Sequence, residues 1–275
     1  MFGLRAASTN LAPSFVPEAE DQIWLMQTMK EVADLIGPQL SERSWFHPPS
    51  HRIDGLDGLF ELVCAVQERL GQHEVELTVV AAGPHQSQVP PGFVQLADAS
   101  GLLMTTWRRD GEYALMFDPA AFRKQELLLS HAARELGRIT LDVRARARAD
   151  GDAASVQLVR QAGVHAQDPN VRAELAAILS GLGVWVANGS YIFENACCGG
   201  GCGINLSRLR AGLSLPEAGF ALAIDGLRRN SNRRAIAKHL APTQAEAFNA
   251  SWKLLSRMHD LAIAKASQKQ AAIGA

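Results

Sequence analysis

The chain has few cysteines and almost no net charge. Four cysteines in 275 residues do not make a disulfide scaffold. Lys and Arg number 27 against 28 Asp and Glu, a formal net charge of −1, so no global basic field draws the molecule to nucleic acid. Aromatic residues amount to 6% and do not interleave with the basic runs. The opening stretch, Met1 to Gln22, lacks an apolar run long enough for the core of a signal peptide. The glycines at 199–201 and 203 are not followed by Lys-Ser or Lys-Thr, which excludes a phosphate-binding loop.

What is present is ordinary for a globular chain. Hydrophobic residues make up 47% and charged residues 20%, with 23 Gly and 12 Pro. These proportions exclude a disordered, collagen-like or coiled-coil protein, and the length suffices for a sizeable core. Leu175 to Phe193 is uncharged and long enough to span a membrane. Its three glycines, two serines and asparagine, and the missing basic flank, favour a helix buried at the centre of a domain. The expected location is therefore the bacterial-type cytosol, where Cys64, Cys197, Cys198 and Cys202 would stay reduced.

The periodicity changes twice along the chain. Residues 1–16 are expected to form a flexible tail, and 17–270 a single domain. Helical spacing of apolar residues covers 17–40 and 58–70, with Gly71 placed as a C-cap. Four short strands follow, at 75–82, 94–96, 102–107 and 113–117, and Trp107-Arg-Arg-Asp-Gly-Glu112 reads as a hairpin turn. After Asp118-Pro119 the helical period returns, giving helices over 120–147, 170–190, 215–228 and 243–268. The implied class is α+β: a small antiparallel or mixed sheet on a mainly helical domain, with the 120–147 and 170–190 helices packed together as its core.

The chemistry-bearing segment is Arg134-Glu-Leu-Gly-Arg138. With histidine at both ends the run would read HELGH. In that zinc-peptidase motif two histidines one turn apart hold the metal and the glutamate activates its water. Arginine offers no lone pair to a metal and does not deprotonate. The plain alternative is an exposed i,i+3 pair between Glu135 and Arg138 on an ordinary helix. A second alternative keeps a metal through other donors, since His131 and Glu135 share a helix face and Glu174 lies on the next helix.

Downstream, Gly181-Leu-Gly-Val-Trp-Val-Ala-Asn188 resembles the second core helix of a family of uncharacterised bacterial proteins with a minimal zincin-like fold. Gly181, Leu182, Gly183, Val184, Trp185, Ala187 and Asn188 match its pattern. Glu174 falls where that family has an aspartate, its third metal ligand, and Asn170 where it often has an acid. Gly212 to Glu217, Phe220 to Ala223, the Phe46-His47-Pro48-Pro49 connector and Leu59–Cys64 resemble other parts of it, so the likeness extends over residues 20 to 255. The resemblance implies a zincin-like fold whose metal site is lost, with Arg134, Arg138 and Glu174 at vestigial ligand positions and Glu135 as the vestigial base. No cofactor is expected on this reading, zinc being the alternative.

Two further features carry weaker chemistry. Cys197, Cys198 and Cys202 stand in a glycine-rich stretch that suits a soft metal or a redox-sensitive disulfide, or is simply a flexible connector. Their spacing is not that of zinc ribbons. Arg144, Arg146 and Arg148, and Arg228, Arg229, Arg233, Arg234 and Lys238, are basic runs that could meet an anionic partner or merely face water. The sequence therefore points to a non-catalytic binding or scaffold protein with a protein partner, no membrane and no nucleic acid. A metal-dependent hydrolase and a thiol-based sensor are its rivals.

Overall fold

A computed structural model of the chain describes residues 15–37, 45–82, 91–97, 103–149, 168–191 and 212–273. Helix α1 (Ala19–Ile36) places Glu20 and Asp21 in its first turn, where the helix dipole favours acids. It buries Leu25, Met29, Val32 and Ile36, one side of the helix at i, i+3/i+4 spacing. Helix α2 (Gly55–Leu70) ends at Gly71, which adopts the left-handed conformation and donates its N–H to carbonyls of the last turn. That is the expected glycine cap.

Four strands, β1 (Leu77–Ala81), β2 (Val94–Gln95), β3 (Met104–Arg109) and β4 (Glu112–Phe117), form one sheet in the order β1-β4-β3-β2. β4 pairs parallel to β1 and antiparallel to β3, and β2 lies antiparallel on the far edge of β3. The sheet is therefore mixed. Asp110, at φ 53°, makes the tight turn between β3 and β4 and sets Arg109 opposite Glu112.

The return to helical period after Asp118 starts as a 3-10 turn, Pro119–Arg123, capped by the Asp118 carboxylate on the Ala120 N–H. Helix α3 (Gln125–Ala149) follows and runs through the middle of the molecule. Packed along it is a helical stretch made of α4 (Pro169–Ala177), a wider π-type turn (Ile178–Leu182) and α5 (Gly183–Gly189). Helix α6 (Leu215–Arg228), the short α7 (Arg233–Ala237) and α8 (Pro242–Ile273) complete the order. The sheet and helix layout matches the α+β expectation, and α3 lies against α4 as the periodicity required.

Two glycines explain how the central helices meet. A Cβ on Gly137 would lie 2.1 Å from the Ala173 carbonyl oxygen and 2.9 Å from the Ala177 nitrogen, so the backbones of α3 and α4 touch directly. Gly181 sits at φ 95° inside the 169–189 stretch. It breaks what the sequence presents as one helix over 170–190, a correction with a clear cause. The break disturbs the helical hydrogen-bond ladder, and two of its carbonyls have outside donors: Arg229 Nη2 reaches Leu179 O at 2.6 Å, and the Phe46 N–H reaches Gly181 O at 2.9 Å. Among the described residues this stretch alone is long and apolar enough to cross a membrane, and 94% of its apolar window is buried inside the fold.

The predicted tail falls almost wholly outside the described residues, although Val16 packs on the core. The Cys197, Cys198 and Cys202 cluster also lies outside them. Cys64 is a free thiol on α2.

Candidate functional site

The contact of Gly137 with Ala173 brings the RELGR segment of α3 against the first turns of α4. Arg134, Glu135 and Arg138 are all buried, with Glu135 at 1% exposure. The exposed-pair reading of Glu135 and Arg138 is therefore overturned. Their helix face lies against the sheet and α4 instead of water.

Glu135 is saturated with donors. Arg138 Nε reaches its Oε2 at 2.9 Å and Arg134 Nε its Oε1 at 3.0 Å. The Thr106 hydroxyl, from β3, donates to Oε2 at 2.9 Å. Burial alone would raise the Glu135 carboxyl, but Arg138 and then Arg134 outweigh it and hold the group below the ordinary carboxylate range. Arg138 also spans to α4, donating to the Asn170 side-chain oxygen at 2.7 Å and to the Pro169 carbonyl at 3.4 Å.

Arg134 is the hub. Its Nη2 lies 2.6 Å from His131 Nδ1, its Nε 3.0 Å from Glu135, and its Nη1 3.6 Å from Glu174 Oε1, an ion-pair distance. Guanidinium can only donate, so His131 Nδ1 accepts and the ring proton sits on Nε2. Burial, reinforced by Arg134, keeps His131 well below its usual pKa and therefore neutral. Glu174 takes the Leu213 N–H on Oε2 at 2.7 Å and the Gly212 N–H on Oε1 at 3.3 Å. Burial raises its carboxyl, against the pull of Arg134 and of those two amides. The difference between the two glutamates is geometric: Glu135 has two close arginines and Glu174 one more distant arginine. A Cβ on Gly212 would approach the Glu174 carboxyl to 2.7 Å, so a larger residue there would shift that carboxyl.

Of the donors of the alternative metal reading, His131 and Glu135 thus accept from the Arg134 guanidinium and Glu174 lies at ion-pair distance from it. These residues do not fit a metal while Arg134 stands among them. Among the described residues no group of three His, Cys, Asp or Glu side chains is arranged to hold one.

A second ion cluster corrects the reading of the 228–238 basic run at one residue, Arg229. Asp225 is fully buried and is held by Arg229 Nε at 2.7 Å and Arg228 Nη2 at 2.5 Å. Arg229 is turned inward onto Asp225, four residues earlier, whereas Arg228, three residues after it, reaches the same carboxylate from an exposed position. Arg233, Arg234 and Lys238 are exposed. In the other run, Arg148 donates to the Asp34 carbonyl at the end of α1.

Thr106 is the site residue that sequence reasoning passed over. Strand alternation puts Thr106 on the same side as Met104, but nothing local says that side meets Glu135. Comparison of the chain with protein-family models, curated proteins and solved structures finds no match.

Proposed function

We propose that this chain is a non-catalytic protein of zincin-like, pseudo-metallopeptidase type that serves as a binding, scaffold or regulatory module for a protein partner in the cytosol. The observation that carries the reading is the convergence of His131, Glu135 and Glu174 on the Arg134 guanidinium. In an HELGH site a metal would supply the positive charge facing such donors. Here a tethered cation meets them, and Arg138 supplies a second one.

The state of Glu135 argues against catalysis by the same residue. A general base needs a free lone pair and a pKa near the working pH. Glu135 accepts from Arg134, Arg138 and Thr106, and its carboxyl is shifted downward. The inward-facing Arg229 likewise removes one cation from the surface that an anionic partner such as nucleic acid would meet.

The experiment is a zinc titration by calorimetry on the double variant Arg134→His with Arg138→His, beside the unmodified protein. Binding is expected only in the variant, through the two introduced imidazoles and Glu174. No binding by a variant that keeps its circular dichroism would sink the zincin-like reading of this helix. Chelator-sensitive peptide hydrolysis by the unmodified protein would overturn the non-catalytic part.

A further inference from the structure

Residues 45–49 run as a strap across the break in the 169–189 stretch, and three consecutive rings seat it. Trp45 lies under the Arg229 guanidinium at 5.0 Å and donates its indole N–H to Ser231 Oγ at 3.1 Å. Phe46 packs edge-on to Trp185 at 6.0 Å, lies 4.0 Å from the Arg69 guanidinium, and gives its N–H to the Gly181 carbonyl. His47 stacks on His239, with ring centroids 4.4 Å apart and planes at 26°. The far end is held separately, by Gln125 donating to the Pro49 and His51 carbonyls.

The His239 turn is itself tied to the same stretch. Asn188 of α5 donates to the His239 carbonyl at 2.9 Å and accepts the Ala241 N–H at 3.0 Å. The two imidazoles therefore meet across a fixed gap, one carried by the strap and the other by the α7–α8 turn. Of the three ring contacts this one alone changes charge near neutral pH.

We propose that the His47–His239 stack makes the seating of the strap over the helix break dependent on pH. Two neutral imidazoles stack, and one imidazolium over a neutral ring still attracts it. Positive charge on both rings at this distance repels. The charged groups around the pair work in the same direction. Lys238 adjoins His239, Arg69 and Arg229 lie over the two preceding strap rings, and Asn188 and Gln244, from α5 and α8, are uncharged. Burial, then His47 and then Lys238, lowers the pKa of His239. Loss of the stack loosens the strap beside Phe46 and Trp45 while Gln125 keeps it attached at its other end.

The test uses the full chain labelled with fluorotryptophan, whose five tryptophans give separate fluorine resonances. Trp45 is assigned by the signal lost in Trp45→Phe. Between about pH 7.5 and pH 5 the Trp45 resonance should move toward its solvent-exposed position, with a midpoint below about 6.5. Trp24, Trp107 and Trp252 should stay in place. In His47→Gln, an exposed and tolerated change, the Trp45 shift should vanish over this range, and in His239→Gln likewise. A Trp45 resonance that stays fixed until the whole spectrum collapses, or that moves equally in His47→Gln, overturns the proposal.

Discussion

Gly137 of α3 and Ala173 of α4 meet backbone to backbone, with 2.1 Å between a Cβ placed on Gly137 and the Ala173 oxygen. That approach sets Glu174, the next residue on α4, within ion-pair distance of Arg134. The glycine of the RELGR segment is thus a spacer, and the charged residues around it depend on its lack of a side chain.

Gly137→Ala should force α3 and α4 apart. Overpacking usually costs about 1–3 kcal/mol, and here the obstacle is a backbone carbonyl, so the upper end, about 3 kcal/mol or more, is expected. Urea denaturation monitored by circular dichroism measures it. A loss under about 1 kcal/mol would contradict the close approach.

The two glutamates should differ in weight. Glu135→Gln keeps the shape but leaves two buried guanidiniums without their carboxylate, and about 3–5 kcal/mol of destabilisation follows. Glu174→Gln should cost less, because Arg134 retains Glu135 and His131 and the amide oxygen still accepts from Leu213 or Gly212. Removing the side chain altogether (Glu174→Ala) strands those two backbone N–H groups and weakens the charge balance at Arg134. It should fall between the two. Equal losses for the two Gln variants would mean that Arg134 leans on both carboxylates alike.

Thr106→Val removes one hydroxyl and leaves Glu135 with both arginines. The expected cost is about 1–2 kcal/mol, that of one buried hydrogen bond to a charged group. Chemical denaturation of the single variant is the measurement, and a cost as large as that of Glu135→Gln would move the hub from Arg134 to the strand.

Stability should fall as the solution is acidified below about pH 6.5. His131 stays neutral in the fold but takes a proton in the unfolded chain near the ordinary imidazole pKa. Each pH unit between those two values therefore costs up to about 1.4 kcal/mol. Glu135, with its lowered pKa, adds a further loss as pH falls through the carboxylate range. Glu174 has a raised pKa and acts oppositely, regaining stability as it takes up its proton. Denaturation midpoints at pH 7.5 and pH 5.5 test the first limb, which should shrink in His131→Gln.

The fold was legible where local rules decide. The switch from alternating to helical period at Asp118-Pro119 is there in the sequence, and Leu215–Arg228 has the expected limits. The break at Gly181 was not legible, because its carbonyls are satisfied by Arg229 and by Phe46, 48 residues later and 135 residues earlier in the chain. Arg134, Glu135 and Arg138 stood out through the near-match to HELGH, and Glu174 only through the family resemblance. What Arg134 does with His131 did not, since the sequence shows that they lie one turn apart but not that a guanidinium fills the space between three acceptors. Arg229 reads as a surface cation until Asp225 is seen inside the fold, where it turns to meet it, while Arg228 pairs with the same carboxylate from the surface.

A guanidinium at the centre of His131, Glu135 and Glu174 differs from a metal ion in one respect that bears on the life of the molecule. It is made with the chain, cannot leave, and is not in competition with other cations. The contact between the helices it joins therefore asks for no ion from solution at this point. No chelator, however strong, can take this cation away.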